Sequence, residues 1–455
     1  MEVQHIACAK GHGERIWSVA WNPVDDIFAT CSSDCSVRIW RLQRKKEPSS
    51  SKAHLCASSS RNCCVDYDII LETAIDKYFK KTVRSVRFSS NGEFLICACF
   101  DGTSTVWTPA RRDASGDNTV LSALPSGSDG ADVCSGMHPW TCVAVLEGHE
   151  NEVKCAAFDC TSTYIATCGR DKTVWIHQRS QLSAIDSNDI ARLPRGGLNS
   201  SIEYFCAAIL TGHTQDVKTV CWNPNALVLA SASYDNSIRI WGLTREDWAC
   251  VQVLNLHSST VWSLSFDIDG HRLAAASADC ALSVYKSKKV QEYVERLTDL
   301  HQQVLSTSTI LKLGPIDTTI SHEITRKTHK MHEYRIKNSL IADDWELCHF
   351  IQSHHSRPIY SVDFRSLILT VQFHTPCYKC VQGGGDNMVK IVTSEDNSAE
   401  TKYEVGPNFQ HVYTFDQFKA HNSDVNGVAW KPNDSAMLFA TVADDEYIKV
   451  WKVAR

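Results

Sequence analysis

The sequence predicts an all-β fold in which seven repeated four-stranded units close into a propeller. The main observation is a spacing, because a histidine is followed 22 residues later by an aspartate in a polar turn. This occurs at four places: His12 and Asp34, His149 and Asp171, His213 and Asp235, and His257 and Asp279. Short apolar runs fill each interval, and another run with an aromatic residue at or near its end follows most of the aspartates. A spacing kept through otherwise different residues indicates an internal repeat, which decides the fold.

The unit that begins at His213 shows the predicted strands most clearly. Apolar runs at 216–222 and 227–233 are separated by Asn-Pro-Asn, and runs at 237–241 and 251–254 follow the turn at Asp235. Turn residues of this kind separate short strands. Four strands in about 40–45 residues, with a histidine near the start and a closing tryptophan, are typical of a WD40 blade.

Seven such units can be counted, and four of them are irregular. Phe79 replaces the histidine of the second unit, although Asp101 still follows it by 22 residues, and the third unit has His177 in place of the closing tryptophan. The sixth and seventh units are longer, from His355 to Asp386 and from His421 to Asp444 or Asp445. The predicted blades are residues 10–43, 77–108, 142–179, 205–243, 249–286, 347–394 and 411–455 of a single domain.

The last unit reaches Trp451 and lacks an outer strand of its own. Residues 2–8 precede the first histidine and are predicted to supply that strand. Pairing the two ends of the chain would remove an open sheet edge, which otherwise promotes aggregation.

The histidines and aspartates are predicted to be structural, and no catalytic residue is predicted. A turn aspartate can accept hydrogen bonds from backbone amides and from the histidine, which can contact a strand Ser or Thr and through it the tryptophan indole. Such networks satisfy buried polar groups. The predicted structural residues are His12, Asp34, Asp101, His149, Asp171, His213, Asp235, His257, Asp279, His355, Asp386, His421 and Asp444.

Composition indicates which classes of partner and of metal site the sequence favours or disfavours. The chain has 455 residues, 43% of them hydrophobic, and a net charge of −6, so bulk charge indicates neither nucleic acid nor a membrane surface as a partner. Its 20 cysteines show no metal-ligand tetrad and are interpreted as reduced thiols, so no metal site is predicted. Four insertions are predicted as flexible loops, the last with an amphipathic helix at its start: residues 44–75, 109–138, 180–203 and 287–345.

One mouth of the propeller channel is the predicted partner site. The second position of each inner strand, together with the residue before some turn aspartates, places cations and aromatic rings there. A partner with acidic groups, or a free carboxylate beside an aromatic side chain, would suit them. Two alternatives stay open, since these side chains could instead pack loops together or pair as cation–π contacts. The predicted partner-binding residues are Arg170, Lys154, Lys218, Arg84, Trp17, Trp262, Tyr360 and Tyr234.

Several strings go beyond a generic WD40 repeat. Taken in order, the segments 146–154, 166–175, 212–218, 231–235, 259–264 and 355–360 resemble the WD-repeat family of cytosolic iron–sulfur protein assembly. The resemblance implies a non-enzymatic scaffold in the complex that delivers [4Fe–4S] clusters to cytosolic and nuclear apoproteins. It implies no stably bound cofactor, a cytoplasmic location with the nucleus as a second one, and a functionally sensitive arginine at Arg170.

The resemblance also implies the partners. These are a small DUF59-family subunit, through it a HEAT-repeat subunit, and iron–sulfur client apoproteins, some recognised by a C-terminal peptide that ends in an aromatic residue. A WD40 scaffold of another complex, such as a ubiquitin-ligase substrate receptor, is the alternative. An enzyme is disfavoured because no phosphate loop or nucleophile elbow is found, and Gly383 to Asp386 fits a blade turn.

Overall fold

The structure is a computed structural model that describes residues 3–45, 67–110, 140–180, 202–244, 247–289, 344–352, 355–367, 377–395, 410–414, 420–432 and 436–453. In these residues 28 strands form seven four-stranded antiparallel sheets. The predicted all-β, seven-bladed propeller is therefore confirmed. We number the blades in chain order of their inner strands.

The first four blades take their strands consecutively from the chain. Blade 1 contains β2 (Ile16–Trp21), β3 (Ile27–Ser32), β4 (Val37–Arg44) and β5 (Tyr67–Ile75). Blade 2 contains β6 (Val83–Phe88), β7 (Leu95–Cys99), β8 (Ser104–Pro109) and β9 (Trp140–Leu146). Blade 3 contains β10 (Val153–Phe158), β11 (Tyr164–Gly169), β12 (Val174–Arg179) and β13 (Tyr204–Leu210). Blade 4 contains β14 (Val217–Trp222), β15 (Val228–Ser233), β16 (Ile238–Thr244) and β17 (Asp247–Leu254).

The remaining three blades complete the ring. Blade 5 contains β18 (Val261–Phe266), β19 (Arg272–Ser277), β20 (Leu282–Ser287) and β21 (Trp345–Ile351). Blade 6 contains β22 (Ile359–Leu367), β23 (Cys377–Gly384), β24 (Val389–Glu395) and β25 (Gln410–Thr414). Blade 7 contains β26 (Val425–Trp430), β27 (Leu438–Ala443), β28 (Tyr447–Val453) and, as its outer strand, β1 (Val3–Lys10).

The outer strand of blade 7 confirms the predicted closure by the N-terminal strand. β1 pairs antiparallel with β28, from Val3 opposite Val453 to Lys10 opposite Tyr447. The strand extends to Lys10, two residues past the predicted segment 2–8. Because every sheet now has four strands, the ring closes through backbone hydrogen bonds between distant parts of the chain.

The core lies between neighbouring sheets. The second strand of a blade is covered on both faces, and β3, β15, β19 and β27 are buried at every position. Small and apolar residues suit such a strand, because adjacent sheets pack closely on either side. Ile39 of blade 1 and Leu95 of blade 2, for example, belong to one buried cluster.

The structure corrects the predicted insertions at two places. Residues 67–75, predicted as part of a flexible loop, form β5, in which apolar and β-branched residues pair with β4 from Val37↔Ile75 to Arg44↔Tyr67. Trp345, placed in the insertion 287–345, begins β21 and is 2% exposed because it packs beside Phe266. The helix predicted at the start of that insertion and most of the four insertions lie outside the described residues.

The longer sixth unit is partly explained by its strands. β22 and β23 extend their pairing to Leu367↔Cys377, which makes this hairpin longer than those of the other blades. Within the described ranges, no helix combines the length and the apolar character needed to cross a membrane.

Candidate partner-binding site at the channel mouth

A chain of polar side chains fastens the turns around the mouth, and blade 4 shows it in full. His213 Nδ1 lies 2.8 Å from Asp235 Oδ2, and His213 Nε2 lies 2.8 Å from Ser231 Oγ. The Trp241 indole N–H donates to the same Ser231 oxygen at 2.8 Å. We call this arrangement the relay; it links β15, β16, the turn between them and the segment that precedes β14, through groups that would otherwise be buried and unsatisfied.

The relay recurs with the same partners in blades 1 and 7. In blade 1 it joins His12, Asp34, Thr30 and Trp40. In blade 7 the histidine His421 pairs at 2.9 Å with Asp445. Asp444 of the predicted structural set is therefore wrong as the histidine's partner; its carboxylate instead accepts from Asn426 Nδ2 at 2.7 Å. The two extra residues of this unit lie in the longer connection between β26 and β27, so Asp445, not Asp444, occupies the position of Asp235 in the turn.

Three blades vary the relay. In blade 3, His149 contacts Asp171 and Thr167, and His177 takes the tryptophan position with its Nε2 3.4 Å from the Thr167 hydroxyl. In blade 5, His257 contacts Asp279 and, on the third strand, Ser283. In blade 6, His355 contacts Asp386 at 2.8 Å, while its Nε2 has no hydrogen-bond partner among the described residues.

Blade 2 has no relay. Phe79 is buried at the histidine position, and its ring lies 6.1 Å from that of Trp107. Tyr78 contacts both rings edge-on, at 5.3 and 4.8 Å between centroids. Asp101 is exposed and accepts hydrogen bonds only from the N–H and hydroxyl of Thr103 among the described residues. An aromatic cluster replaces the polar chain here.

The pKa values show how the relay of blade 4 is charged. Burial lowers the pKa of His213, so its imidazole is neutral at pH 7. Burial raises the pKa of Asp235, but hydrogen bonds from Ser237, the Thr214 N–H and His213 outweigh that effect and lower it to about 2. A neutral histidine between a carboxylate and a hydroxyl suits a structural hydrogen-bond chain.

A bulge in every inner strand produces the predicted ring at the mouth. In all seven inner strands the register shifts at the second residue, so that residue has no Cα partner on the neighbouring strand. Bulges re-aim a side chain locally. The seven re-aimed residues are Trp17, Arg84, Lys154, Lys218, Trp262, Tyr360 and Asn426.

The cations of this ring lie over aromatic rings. The Arg84 guanidinium is 4.6 Å from the centroid of Trp17. Lys154 Nζ is 4.1 Å from the ring of Phe100, which comes from the neighbouring blade. Lys218 Nζ is 3.8 Å from the ring of Tyr234. The geometry therefore contains the cation–π pairing that was one of the open alternatives.

An aromatic row continues the ring across blades 4 to 6. Trp262 contacts Tyr234 and Tyr360 with centroids 5.7 and 5.4 Å apart, both nearly edge-on. Lys218 Nζ is also 5.1 Å from Trp262, so it lies against two members of the row. Beyond the row, Asp424 lies 3.7 Å from Arg357 and Asp444 lies 3.7 Å from Arg15.

Acidic residues two positions before the bulge were missed by sequence reasoning. Lys154 forms an ion pair with Glu152, and Lys218 lies 3.7 Å from Asp216. The shared offset from Lys154 and Lys218 was a signal that could have found them, although Arg84 has Thr82 at this offset. Burial and then the charge of Lys154 lower the pKa of Lys218 to about 8, with Asp216 opposing the shift.

Arg170 differs from the other cations in its exposure. Its side chain is 59% exposed, against 11% for Lys154 and 10% for Lys218. Its guanidinium is 3.7 Å from Glu152, and its backbone N–H donates to the Glu152 carbonyl at 3.0 Å. Arg170 therefore presents most of its side chain to solvent, beside Glu152 and Lys154, which suits a carboxylate-bearing partner.

Comparison with known proteins shows the family to which the chain belongs. The family model described as WD domain, G-beta repeat matches about half of the chain, and the chain belongs to this family. The matched segments are 3–41, 75–108, 140–178, 204–242, 248–286 and 410–452. The longer sixth unit falls between the last two. Each match begins in the outer strand of one sheet and ends in the third strand of the next, which agrees with the closure by β1.

The names of similar proteins indicate which kind of WD40 protein this chain resembles. The chain is 26% identical over 99% of its length to the whole of a Candida albicans protein named probable cytosolic iron-sulfur protein assembly protein 1. Relatives of the same name from Vanderwaltozyma polyspora and Mycosarcoma maydis are 27% and 34% identical over 64% and 38% of the chain. The matches cover 86% and 36% of those proteins, so the chain spans only about a third of the latter. The resemblance drawn from the sequence is confirmed.

Proposed function

We propose that this chain is a non-enzymatic scaffold subunit of the machinery that delivers [4Fe–4S] clusters to cytosolic and nuclear apoproteins. The observation that carries the proposal is the ring of bulged side chains at one mouth. None of those seven residues supplies the histidine, aspartate or tryptophan of a relay, yet all seven strands carry the bulge. Bulges that aim side chains are frequent at functional sites.

The names of the relatives supply the biological process. They are called cytosolic iron–sulfur assembly proteins, which supports a cytoplasmic site of action for this chain. On this proposal its partners are a DUF59-family subunit, a HEAT-repeat subunit and client apoproteins, with the nucleus as a second location. The chain itself binds no cofactor stably; the cluster is the cargo of the complex.

Client recognition is assigned to the mouth, with Arg170 as the solvent-exposed contact. The largely covered cations Lys154 and Lys218 hold their rings in place and add positive potential beneath Arg170. A client carboxylate would form a charge-assisted pair with the Arg170 guanidinium and displace the long 3.7 Å contact with Glu152. Trp262 and Tyr360 would offer ring edges to an adjacent aromatic side chain.

An affinity purification tests the proposal with a matched control. The tagged chain is purified from the cytosol of its own organism as the unchanged protein, as Arg170→Glu and as Arg44→Glu, and the captured proteins are quantified by mass spectrometry. Arg44 is exposed at the end of β4, on the face opposite the mouth, so this variant makes the same charge reversal elsewhere.

The expected result is recovery of DUF59 and HEAT-repeat proteins by all three chains, with iron–sulfur proteins lost only from Arg170→Glu. Thermal unfolding of the variants must match the unchanged protein, since Arg170 is exposed. Recovery of cullin-type or other machinery, without iron–sulfur proteins, would contradict the delivery role. Equal loss of clients from both variants would contradict recognition at the mouth.

A further inference from the structure

Three side chains that could act as metal ligands lie close together in the turn between β18 and β19. Asp267, Asp269 and His271 each offer one donor atom, and these atoms all lie within 4.8 Å of one another. Asp269 and His271 are partly exposed, whereas the Asp267 side chain is completely covered. The turn is at the end of an inner strand, so it lies on the face opposite the channel mouth.

One carboxylate oxygen in this turn is buried without a hydrogen bond. Asp267 Oδ1 accepts from the Arg272 N–H at 3.0 Å, but Oδ2 has no hydrogen-bond partner. Oδ2 points towards His271, whose Nε2 is 3.7 Å away, too far for a hydrogen bond. A buried carboxylate oxygen without a partner is costly unless a proton or a cation compensates it.

The equivalent turn of blade 2 shows what the fold alone requires. Ser89, Asn91 and Glu93 occupy the three positions between β6 and β7 there. The Ser89 hydroxyl donates to Asn91 at 2.6 Å, and the Asn91 amide donates to Glu93 at 2.9 Å, so each member is satisfied by the next. The blade 5 turn keeps this backbone geometry and places Asp267, Asp269 and His271 at the same three positions, where their donor atoms converge.

The backbone of the blade 5 turn is held from outside. Asn223 and Asn225 of blade 4 donate their side-chain amides to the carbonyls of Gly270 and Ile268. Gly270 has a φ of +77°, which suits glycine in this tight turn. A site with a fixed backbone needs only small side-chain movements to bring its donors to bonding distance.

We propose that Asp267, Asp269 and His271 bind one divalent first-row transition ion. Two carboxylates and an imidazole are ligands suited to Mn²⁺, Fe²⁺ or Zn²⁺, and the exposed side of the turn leaves room for water to complete the coordination. The ion would occupy the space facing Asp267 Oδ2 and fix the conformation of the blade 5 turn. This site is independent of the client-binding role assigned to the mouth.

Sequence reasoning did not find this site. Asp269-Gly270 fits an ordinary turn dipeptide, and His271 lies outside the 22-residue pattern. Only the folded turn brings the three side chains together, at the positions that Ser89, Asn91 and Glu93 occupy in blade 2.

Manganese binding to the full chain tests the proposal. Mn²⁺ is the probe because it prefers oxygen and nitrogen ligands, whereas Zn²⁺ would also bind the free cysteines. Equilibrium dialysis, with free Mn²⁺ read by electron paramagnetic resonance, is expected to give one bound equivalent. The triple variant Asp267→Ser, Asp269→Asn, His271→Glu transplants the blade 2 side chains, which this propeller already accommodates, and should weaken binding at least about tenfold.

Two further variants complete the test. Asp25→Asn removes an exposed acidic group from the blade 1 turn on the same face and should leave Mn²⁺ binding unchanged. His271→Gln keeps both carboxylates and should also weaken binding. Absence of binding by the unchanged protein at millimolar Mn²⁺ would overturn the proposal. Equal binding by the triple variant or by His271→Gln would overturn it as well, because the three side chains would then not form the site.

Discussion

Blades 2 and 4 place the same strands around the channel but hold their turns by different chemistry. Blade 4 uses the relay from Asp235 through His213 and Ser231 to Trp241. Blade 2 uses the packing of Phe79 against Trp107 and Tyr78. The backbone hydrogen bond between the turn and the inner strand is present in both, from Phe100 to Thr82 and from Tyr234 to Asp216.

The comparison shows that the relay satisfies buried polar groups rather than defining the blade. In blade 2 the hydroxyl position on the second strand is Cys97, and the Trp107 indole turns to Thr105 instead, at 2.8 Å. With no histidine and no hydroxyl at these positions, the blade buries rings where the others bury a polar chain. Polar groups must be paired once buried, but an apolar filling of the same space avoids that requirement.

The largest expected effect comes from removing the aromatic filling of blade 2. Phe79→Ala should lower the free energy of unfolding by about 3–5 kcal/mol, because it leaves a cavity beside Trp107 where no polar network can compensate. Urea unfolding followed by tryptophan fluorescence measures the change. Tyr78→Ala, at a ring that is 39% exposed, should cost less. A loss below about 1 kcal/mol for Phe79→Ala would show that the cluster does not hold this turn.

The next largest effect is expected from removing the turn aspartate of the blade 4 relay. Asp235→Ala should lower the free energy of unfolding by about 1–3 kcal/mol, because it leaves the His213 Nδ1, the Thr214 N–H and the Ser237 groups without their acceptor. The same urea titration measures it. Asp235→Asn is the matched control, since its amide oxygen retains part of the acceptor capacity. A stability equal to that of the unchanged protein would contradict the assigned role of the relay.

The sequence predicted the residue contacts of the relay better than those at the channel mouth, for physical reasons. The 22-residue spacing lies within one blade, so His213 and Asp235 could be paired from local order alone. The pairing of Lys154 with Phe100 joins neighbouring blades, and the position of Tyr67 in β5 depends on pairing with β4. Asp444 and Asp445 are adjacent in the chain, and only the turn geometry distinguishes them.

Acid should weaken blades 1, 4, 6 and 7 but not blade 2. Burial lowers the pKa values of His12, His213, His355 and His421 below the ordinary value of 6.5. The unfolded chain therefore binds more protons than the folded one, so stability is complete above pH 6.5 and falls as the pH drops below it. Urea unfolding at pH 7.5 and 5.5 measures this loss. His213→Phe, which copies the blade 2 residue, should show a smaller loss between these two pH values; an equal or larger loss would contradict the assignment.

The smallest expected effect is at the turn aspartate of blade 2, where the comparison is most direct. Asp101→Ala should change the free energy of unfolding by no more than about 0.5 kcal/mol, against the larger loss expected for Asp235→Ala. Asp101 is exposed and accepts hydrogen bonds from the N–H and hydroxyl of Thr103, so water can replace these hydrogen bonds. The same titration on both variants measures the difference. Equal losses would mean that the aspartate shapes the turn by itself, and that the histidine adds little to the blades that carry it.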